Sequence, residues 1–332
     1  MSHDQTKGLL QRLGNLGRQF HVRDLHPKEL ERRFAKRLLD RFDFTEEYQR
    51  PMLQALARTF PSLQFLICRV AGSLYAVSPK DDTIGFSLIQ GKAFERDVFD
   101  LALRRLEEHL PSIPFKGRAF VDIGANVGFM TVYASQSGNF NRAVCAEPDP
   151  VNFRLLKATM AVNDLEQFAR LVRTAIGEMP GHVSLEHAEG NFGDHRIRVK
   201  ADSSEDAYDE GKRVTTQVPM TTLDDLVASS NLQPEEVGLA WIDTQGYEGF
   251  VLAGGTATIQ RGKVPVVCEF WPYGMKRSGG WPLFRKTVQH SFSGYYNLGD
   301  STAKEYPIAG LDALIDQLSD GIGHTDLLLL PR

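Results

Sequence analysis

One stretch, residues 119–131, constrains the fold of this chain more than any other. It begins with an apolar run at residues 119–123, which is typical of a parallel strand buried on both faces. Gly124 then allows a tight turn, and from about Val127 the apolar residues follow a helical spacing. The pattern predicts a strand, a glycine turn and a helix whose first N–H groups face a ligand.

This glycine turn differs from that of a dinucleotide-binding protein. The dinucleotide fingerprint has glycine at the first, third and sixth positions after the strand, whereas the third is Asn126 here and the sixth is Phe129. Asp122, at the end of the strand, favours a cationic ligand over a pyrophosphate. Because S-adenosylmethionine carries an ammonium and a sulfonium, the turn indicates this cofactor.

A second acidic strand end follows. Residues 143–146 form another apolar run, and Glu147 comes directly after it. A carboxylate at the end of the second strand of such a unit accepts both hydroxyls of a ribose. Asp149 and Pro150 are a typical helix cap and first helical residue, and the helix is predicted to end at about Asn163.

A third block completes the pattern of a known family. At residues 239–252 an apolar strand ends at Asp243, Gly246 opens a turn, and a helix begins at about Glu248. With this block, the chain resembles the FkbM family of S-adenosylmethionine-dependent methyltransferases over about residues 91–331. The family usually has a glutamate where this chain has Gln245. The matching segments are residues 121–128, 147–148, 222–224 and 242–248, and more loosely 267–269 and 325–328.

The resemblance implies an α/β fold of the class I methyltransferase type. This fold is a Rossmann-like, doubly wound sheet of seven mostly parallel strands with an antiparallel last hairpin. The predicted domains are an N-terminal helical segment (1–62), a hairpin and helix leading into the catalytic domain (63–115), and an S-adenosylmethionine-binding methyltransferase domain (116–332). Further strands are predicted at residues 171–176, 239–243, 264–269, 294–298 and 326–330, with an antiparallel pair at 182–186 and 213–218.

The candidate ligand carboxylates fall at the carboxyl ends of predicted strands, where open α/β sheets bind ligands. Asp243 is the first candidate for the general base or for orienting the acceptor, and Glu269 and His195 follow. Asp243 and Glu269 could share a cation, but two carboxylates do not indicate a particular metal, so no metal ligand is assigned. The predicted cofactor-binding residues are Glu95, Asp122, Gly124, Ala125, Asn126, Gly128, Glu147, Pro148, Asn152, Ala175 and Asp243.

Two of these assignments leave an alternative open. Glu95 matches a family segment, which implies a position near the methionine end of the cofactor, but it also fits a first-turn glutamate favoured by the helix dipole. His195 belongs to residues 191–195, which are predicted to cover the site from within a long loop. The alternative for His195 is an ordinary surface histidine.

Composition excludes some functions. Residues 1–60 carry twelve Lys or Arg against eight Asp or Glu, so the remainder of this chain of net charge −4 carries −8, which argues against a nucleic-acid substrate. The N-terminal segment is predicted either to pack on the catalytic domain or a homodimer partner, or to contact an anionic membrane surface. The three cysteines, Cys68, Cys145 and Cys268, are predicted to be buried free thiols in the cytoplasm.

The resemblance implies O-methylation of a sugar hydroxyl in a glycan, glycolipid or secondary metabolite, so the expected partner is a small-molecule or glycan hydroxyl acceptor. Two alternatives remain open. One is a methyltransferase that acts on a protein or lipid acceptor. The other is a non-catalytic adenine-nucleotide-binding protein.

Overall fold

A mixed sheet of eight strands organises this computed structural model, which describes residues 46–60, 62–199, 213–300, 304–318 and 323–332. Numbered along the chain, the strands are β1 (Leu66–Val70), β2 (Ser73–Val77), β3 (Arg118–Ile123), β4 (Phe140–Ala146), β5 (Ala169–Val172), β6 (Ala175–Ile176), β7 (Gly181–Glu186), β8 (Arg196–Ile197), β9 (Thr215–Thr221), β10 (Val237–Ile242), β11 (Val266–Phe270), β12 (Phe292–Asn297), β13 (Glu305–Pro307) and β14 (Thr325–Pro331). The helices are α1 (Glu46–Thr59), α2 (Ile84–Ile89), α3 (Arg96–Glu107), α4 (Phe129–Ser137), α5 (Pro150–Val162), α6 (Leu223–Ser229), α7 (Glu248–Ala253), α8 (Thr256–Gly262), α9 (Pro272–Ser278), α10 (Trp281–Ser291) and α11 (Leu311–Ile315).

The main sheet has the order β13-β12-β14-β11-β10-β3-β4-β5. Strands β5, β4, β3, β10 and β11 are parallel, and β14 pairs antiparallel with both β11 and β12. The large mixed sheet and its antiparallel last hairpin agree with the prediction, but the count of seven strands was too low. The eighth is β13, a three-residue edge strand beside β12 in which Tyr306 stacks on Tyr295 with ring centroids 5.6 Å apart.

The central strands are buried on both faces, as their continuous apolar runs predict. In β3, Phe120 belongs to one hydrophobic core and Val121 to the other. The two cores alternate in the same way along β4 and β10, because successive side chains of a strand point to opposite faces. By this alternation Asp122 shares the face of Phe120, which packs against α4.

The chain leaves the main sheet after β5. A single strand was predicted at residues 171–176, but Ala175 and Ile176 instead pair with Met220 and Thr221 of β9 in a second sheet of order β6-β9-β7-β8. Thr174 lies at the bend, and its hydroxyl donates to the Pro219 carbonyl at 3.1 Å. The predicted antiparallel pair is confirmed as β7 and β9.

Local signals placed the helix starts correctly. The Asp149 side chain accepts hydrogen bonds from the N–H groups of Val151 and Asn152 at the start of α5, with Pro150 as first residue. Thr222 caps α6 through the N–H of Asp225 at 3.0 Å.

The described residues belong to two compact units, Met1–Met52 and Leu53–Arg332, and the sheets and the site lie in the second. Most of the predicted N-terminal helical segment, residues 1–45, and hence its predicted membrane or dimer contact, lies outside the described residues. Within the described ranges, the helices are too short or too polar to cross a bilayer.

Candidate active site

A cavity opens at the carboxyl ends of β3, β4 and β10, and its empty space, including the adjoining open solvent, is about 650 Å³. Seven of the predicted cofactor-binding residues line its wall. They are Gly124, Asn126, Glu147, Pro148, Asn152, Ala175 and Asp243.

Gly124 joins two strands at the floor of this cavity. Its N–H donates to the Ala146 carbonyl at 2.9 Å, and the N–H of Asp243 donates to the Ile123 carbonyl at 2.9 Å. Gly124 has φ +83°, and a Cβ at this position would lie 1.8 Å from the carbonyl oxygen of Asp243. Only glycine therefore lets the turn after β3 approach the end of β10 this closely.

Glu147 presents a fixed carboxylate to the cavity. It is 5% exposed, its Oε2 accepts the N–H of Asn126 at 2.9 Å, and its Oε1 accepts the N–H of Asp149 at 2.8 Å. Burial raises the pKa of Glu147 to about 8. Each carboxylate oxygen has a second lone pair, so both can still accept hydroxyl donors from a ligand.

The predicted covering segment does reach the cavity. Phe192 lies in the wall, and its carbonyl accepts hydrogen bonds from Asn126 Nδ2 at 3.1 Å and Asn152 Nδ2 at 2.9 Å. Asn126 lies in the turn after β3, and Asn152 lies in the first turn of α5. The segment is thereby held over the glycine turn and the start of α5.

Four predicted cofactor residues lie off the cavity wall. Ala125 is buried in the core, Gly128 lies against Leu156 and Met160 of α5, and Glu95 precedes α3. The Asp122 carboxylate is 1% exposed and accepts a hydrogen bond from Thr131 Oγ1 at 2.5 Å. Burial raises the pKa of Asp122 to about 7. The structure therefore gives Asp122 a partner in α4 in place of the predicted position facing the ligand.

Glu95 has an unusual environment. It adopts φ +51° before α3, and burial, with the charges of Asp326 and Asp243 adding to it, raises its pKa to about 9. The charges of Asp326 and Asp243 therefore act on the Glu95 carboxylate, which the interpretation as an ordinary first-turn glutamate does not explain.

Asp243 and Glu269 belong to a group of carboxylates beside the cavity, in which Glu248 and Glu269 are buried and Asp243 is partly exposed. Gln245 Nε2 donates to Asp243 Oδ1 at 2.7 Å and to Glu269 Oε2 at 3.2 Å. Gln245 lines the cavity wall, whereas Glu269 lies behind Gln245 and does not line the wall. Burial raises the pKa of Asp243, and burial together with the Asp243 and Glu248 charges raises that of Glu269 well above its ordinary value.

Glu248 closes the turn between β10 and α7. It is fully buried, and its Oε1 accepts the N–H and the hydroxyl of Thr244 at 2.9 and 3.0 Å and the N–H of Gly246 at 3.2 Å. Burial raises its pKa to about 7. Asp326, in direct register with Glu269 across β11 and β14, also has a pKa raised by burial to about 7.

The structure argues against His195 as a general base. His195 lines the cavity, but its Nδ1 accepts the N–H of Ala188 at 3.1 Å, so in the neutral ring the proton resides on Nε2. Burial lowers its pKa to about 4, which keeps the ring neutral. The group available to a ligand is therefore an N–H donor.

The protonation of His195 on Nε2 also argues against a metal site at a nearby cluster of side chains. Asp149, His187 and His195 have potential metal-ligand atoms within 4.8 Å of one another. A metal on Nε2 of His195 would put the proton on Nδ1, which could then no longer accept the N–H of Ala188. His187 instead lies 3.2 Å from Asp149 Oδ2 and 2.8 Å from the Thr216 hydroxyl.

Several wall residues were not predicted. Thr244 and Tyr247 extend the third block into the cavity, and Ile84 and Leu185 reach it from segments distant in the chain. The third block already carried a signal, since Thr244 and Tyr247 stand between the predicted Asp243 and Glu248. Ile84 and Leu185 are ordinary apolar residues whose role arises only from the tertiary fold.

Comparison with known families decides the identity of the fold. The family model described as the methyltransferase FkbM domain matches residues 122–291, just over half of the chain. The chain belongs to the FkbM methyltransferase family. The resemblance in the sequence is thereby confirmed, and the matched region contains the glycine turn, Glu147 and the Asp243–Glu269 pair. No curated protein matches the chain.

Solved structures of similar fold include methyltransferases of several kinds. An FkbM methyltransferase from Methylobacillus flagellatus KT is 15% identical over 64% of this chain and 43% of its own, with a TM-score of 0.38. Trm5b from Pyrococcus abyssi is 10% identical over 81% and 56% (TM-score 0.38), and TYW2 from P. horikoshii, solved with MeSAdo, is 11% identical over 86% and 84% (TM-score 0.40). The chain spans less than two thirds of the length of the first two of these proteins.

Proposed function

We propose that this FkbM methyltransferase uses S-adenosylmethionine to methylate a hydroxyl group of a sugar in a glycan, glycolipid or secondary metabolite. The observation that carries the proposal is the Glu147 carboxylate, which is fixed by two backbone N–H groups in the wall of the cavity that Gly124 floors. A carboxylate at this strand end is the group that accepts a ribose diol.

The wall accommodates the rest of the cofactor on either side of Glu147. Ala175 and Ile176 provide backbone and apolar surface for the adenine, with Leu185 beside them. In the other direction Gly124 and Asp243 approach the methionine end. The cofactor sulfonium then lies near the partly exposed carboxylate of Asp243, where the acceptor must enter.

Methyl transfer is a single in-line displacement. The acceptor oxygen forms a bond to the methyl carbon as the carbon–sulfur bond breaks, and the electron pair returns to sulfur. Alignment of the two partners supplies about 7–11 kcal/mol in favourable cases. Asp243 takes the hydroxyl proton or orients the hydroxyl, which adds about a hundredfold or more. The sugar as acceptor rests on the family resemblance alone, and the cytoplasm as location rests on the three cysteines expected to be free thiols.

Binding of S-adenosylhomocysteine tests the cofactor site directly. In Glu147→Ala the affinity measured by calorimetry should fall at least about tenfold, because the ribose loses two charge-assisted acceptors. The matched control is Glu166→Ala, an exposed glutamate just after α5, which should bind as the wild type does. Equal affinity in the two variants contradicts the assignment.

Transfer of a labelled methyl group identifies the acceptor class. Incubation with labelled S-adenosylmethionine and separate panels of oligosaccharides, glycolipids, lipids and proteins should label a sugar hydroxyl. Label in a protein or lipid group instead would favour that acceptor. Cofactor binding with no transfer to any panel would favour a non-catalytic protein, which the neutral Gln245 in the family's glutamate position would fit.

A further inference from the structure

The turn from β10 into α7 brings three carboxylates together beside the cofactor cavity. Carboxylate oxygens of Asp243, Glu248 and Glu269 lie within 4.8 Å of one another. Asp326 adds a fourth, because it is the register partner of Glu269 on the neighbouring strand. Like charges directly opposite one another on two strands are destabilising, so full ionisation of these carboxylates is favoured only when a positive charge compensates it.

Glu248 supplies a second, independent observation. The side chain is fully buried, and while Oε1 is used by Thr244 and Gly246, Oε2 has no hydrogen-bond partner among the described residues. A buried carboxylate oxygen without a partner is costly. Gln245 donates to Asp243 and Glu269, and the Thr244 and Gly246 donors that reach Glu248 all go to Oε1.

We propose that Asp243, Glu248 and Glu269 form a binding site for a divalent cation that prefers oxygen ligands, such as Mg²⁺, Mn²⁺ or Ca²⁺. The donor set consists only of oxygen atoms, which suits these hard cations and disfavours zinc or copper. A half-turn of the Gln245 amide presents Oε1 to the same point and adds a fourth oxygen ligand.

The position of the site gives the cation a role that rests on the proposed function. Asp243 and Gln245 line the cavity, while Glu248 and Glu269 lie behind them. A cation held here would bind the hydroxyl group of the methyl acceptor as a further ligand and would lower the pKa of that hydroxyl. The hydroxyl proton passes to a carboxylate oxygen of Asp243 as the oxygen–methyl bond forms and the methyl–sulfur bond breaks.

Calorimetric titration of MgCl₂, MnCl₂ and CaCl₂ into the metal-free full-length protein tests the site without any activity assay. At least one cation should bind at a single site with a Kd of about 1 mM or tighter. Glu269→Gln should weaken that affinity at least about tenfold, because it removes a charged ligand. Glu235→Gln, an exposed glutamate 3.8 Å from Arg261, should bind the cation unchanged.

Gln245→Glu provides a variant with the opposite expected result. It restores the family's glutamate and adds a charged oxygen ligand, so cation affinity should rise about tenfold. A folding defect in Glu269→Gln cannot account for tighter binding in Gln245→Glu. The proposal is overturned if no cation binds saturably to the wild type, or if neither variant changes the affinity.

S-adenosylhomocysteine affinity in the metal-free protein separates this proposal from the proposed function. Cofactor binding without cation binding removes the cation site and leaves the methyltransferase proposal intact. Cation binding without cofactor binding would support the cation site and contradict the methyltransferase proposal.

Discussion

Replacement of Gly124 by alanine should disrupt the contact on which the whole site is built. The new Cβ would lie 1.8 Å from the carbonyl oxygen of Asp243, and a backbone carbonyl held by a strand cannot turn aside as a side chain can. Relief requires separation of the two strand ends. That movement breaks the bonds from Gly124 N–H to Ala146 and from Asp243 N–H to Ile123, each 2.9 Å long.

The size of the effect follows from these contacts. A non-glycine residue at positive φ costs about 1–2 kcal/mol, and each lost hydrogen bond costs about 0.5–1.5 kcal/mol. Gly124→Ala should therefore destabilise the protein by about 2–5 kcal/mol. Gly138→Ala is the matched control, because Gly138 has φ +65° with nothing within 4 Å of the added Cβ. It should show only the backbone cost, about 1–2 kcal/mol.

Replacement of a third glycine, Gly128, should give a loss of stability between those of the other two. At Gly128, φ +89°, the added Cβ meets Leu156 Cδ1 at 2.6 Å and Met160 Cε at 2.8 Å, and these are flexible side-chain ends that can move. Urea unfolding followed by circular dichroism should rank Gly128→Ala between the other two. S-adenosylhomocysteine affinity should fall in Gly124→Ala and stay unchanged in Gly138→Ala. Losses of stability that agree within about 0.5 kcal/mol in Gly124→Ala and Gly138→Ala would contradict the predicted clash with Asp243.

Two further predictions concern buried carboxylates. The pKa of Asp122 is raised by burial from 3.8 to about 7, so its stabilising contribution is complete below the lower value and is lost as pH rises through the higher one. Asp122→Asn should therefore lose less stability than the wild type between about pH 4 and 7 in thermal unfolding, with cofactor affinity little changed. A large loss of affinity would restore its predicted ligand role. The pKa of Glu147 is about 8, and because ribose hydroxyls favour its charged form, S-adenosylhomocysteine binding at about pH 7 should release a proton. Calorimetry in two buffers of different ionisation enthalpy measures that release, and identical heats would contradict it.

The parts of the fold that could be predicted are those written into consecutive residues. Continuous apolar runs identified the buried strands β3, β4, β10 and β11, and cap residues such as Asp149 marked helix starts. The short elements β6, β8 and β13, each two or three residues long, carry too few side chains for a period to show. Their strand conformation depends on partners elsewhere, such as β9 for β6.

The candidate site divides in the same way. The places of Gly124 and Glu147 in the cavity wall were predictable because each residue directly follows the end of a strand. Asp122 does not line the cavity because it lies within β3, two residues before Gly124, and its carboxylate is buried against Thr131 of α4. The alternation that starts at Phe120 already indicates this, since Phe120 and Asp122 share a face.

Glu248 shows where a local pattern misleads. A glutamate in the first turn of a helix is favoured by the helix dipole, and that interpretation accounts for the residue without any site. In the structure Gln245 and Gly246 both have positive φ, +53° and +95°, and this reversal folds the Glu248 carboxylate back under Thr244. Positive φ is uncommon for a residue other than glycine, so the sequence at Gln245 gives no sign of it. The carboxylate consequently joins Asp243 and Glu269, two residues that the sequence had placed on different strands, and the cluster they form is a property of the turn as a whole.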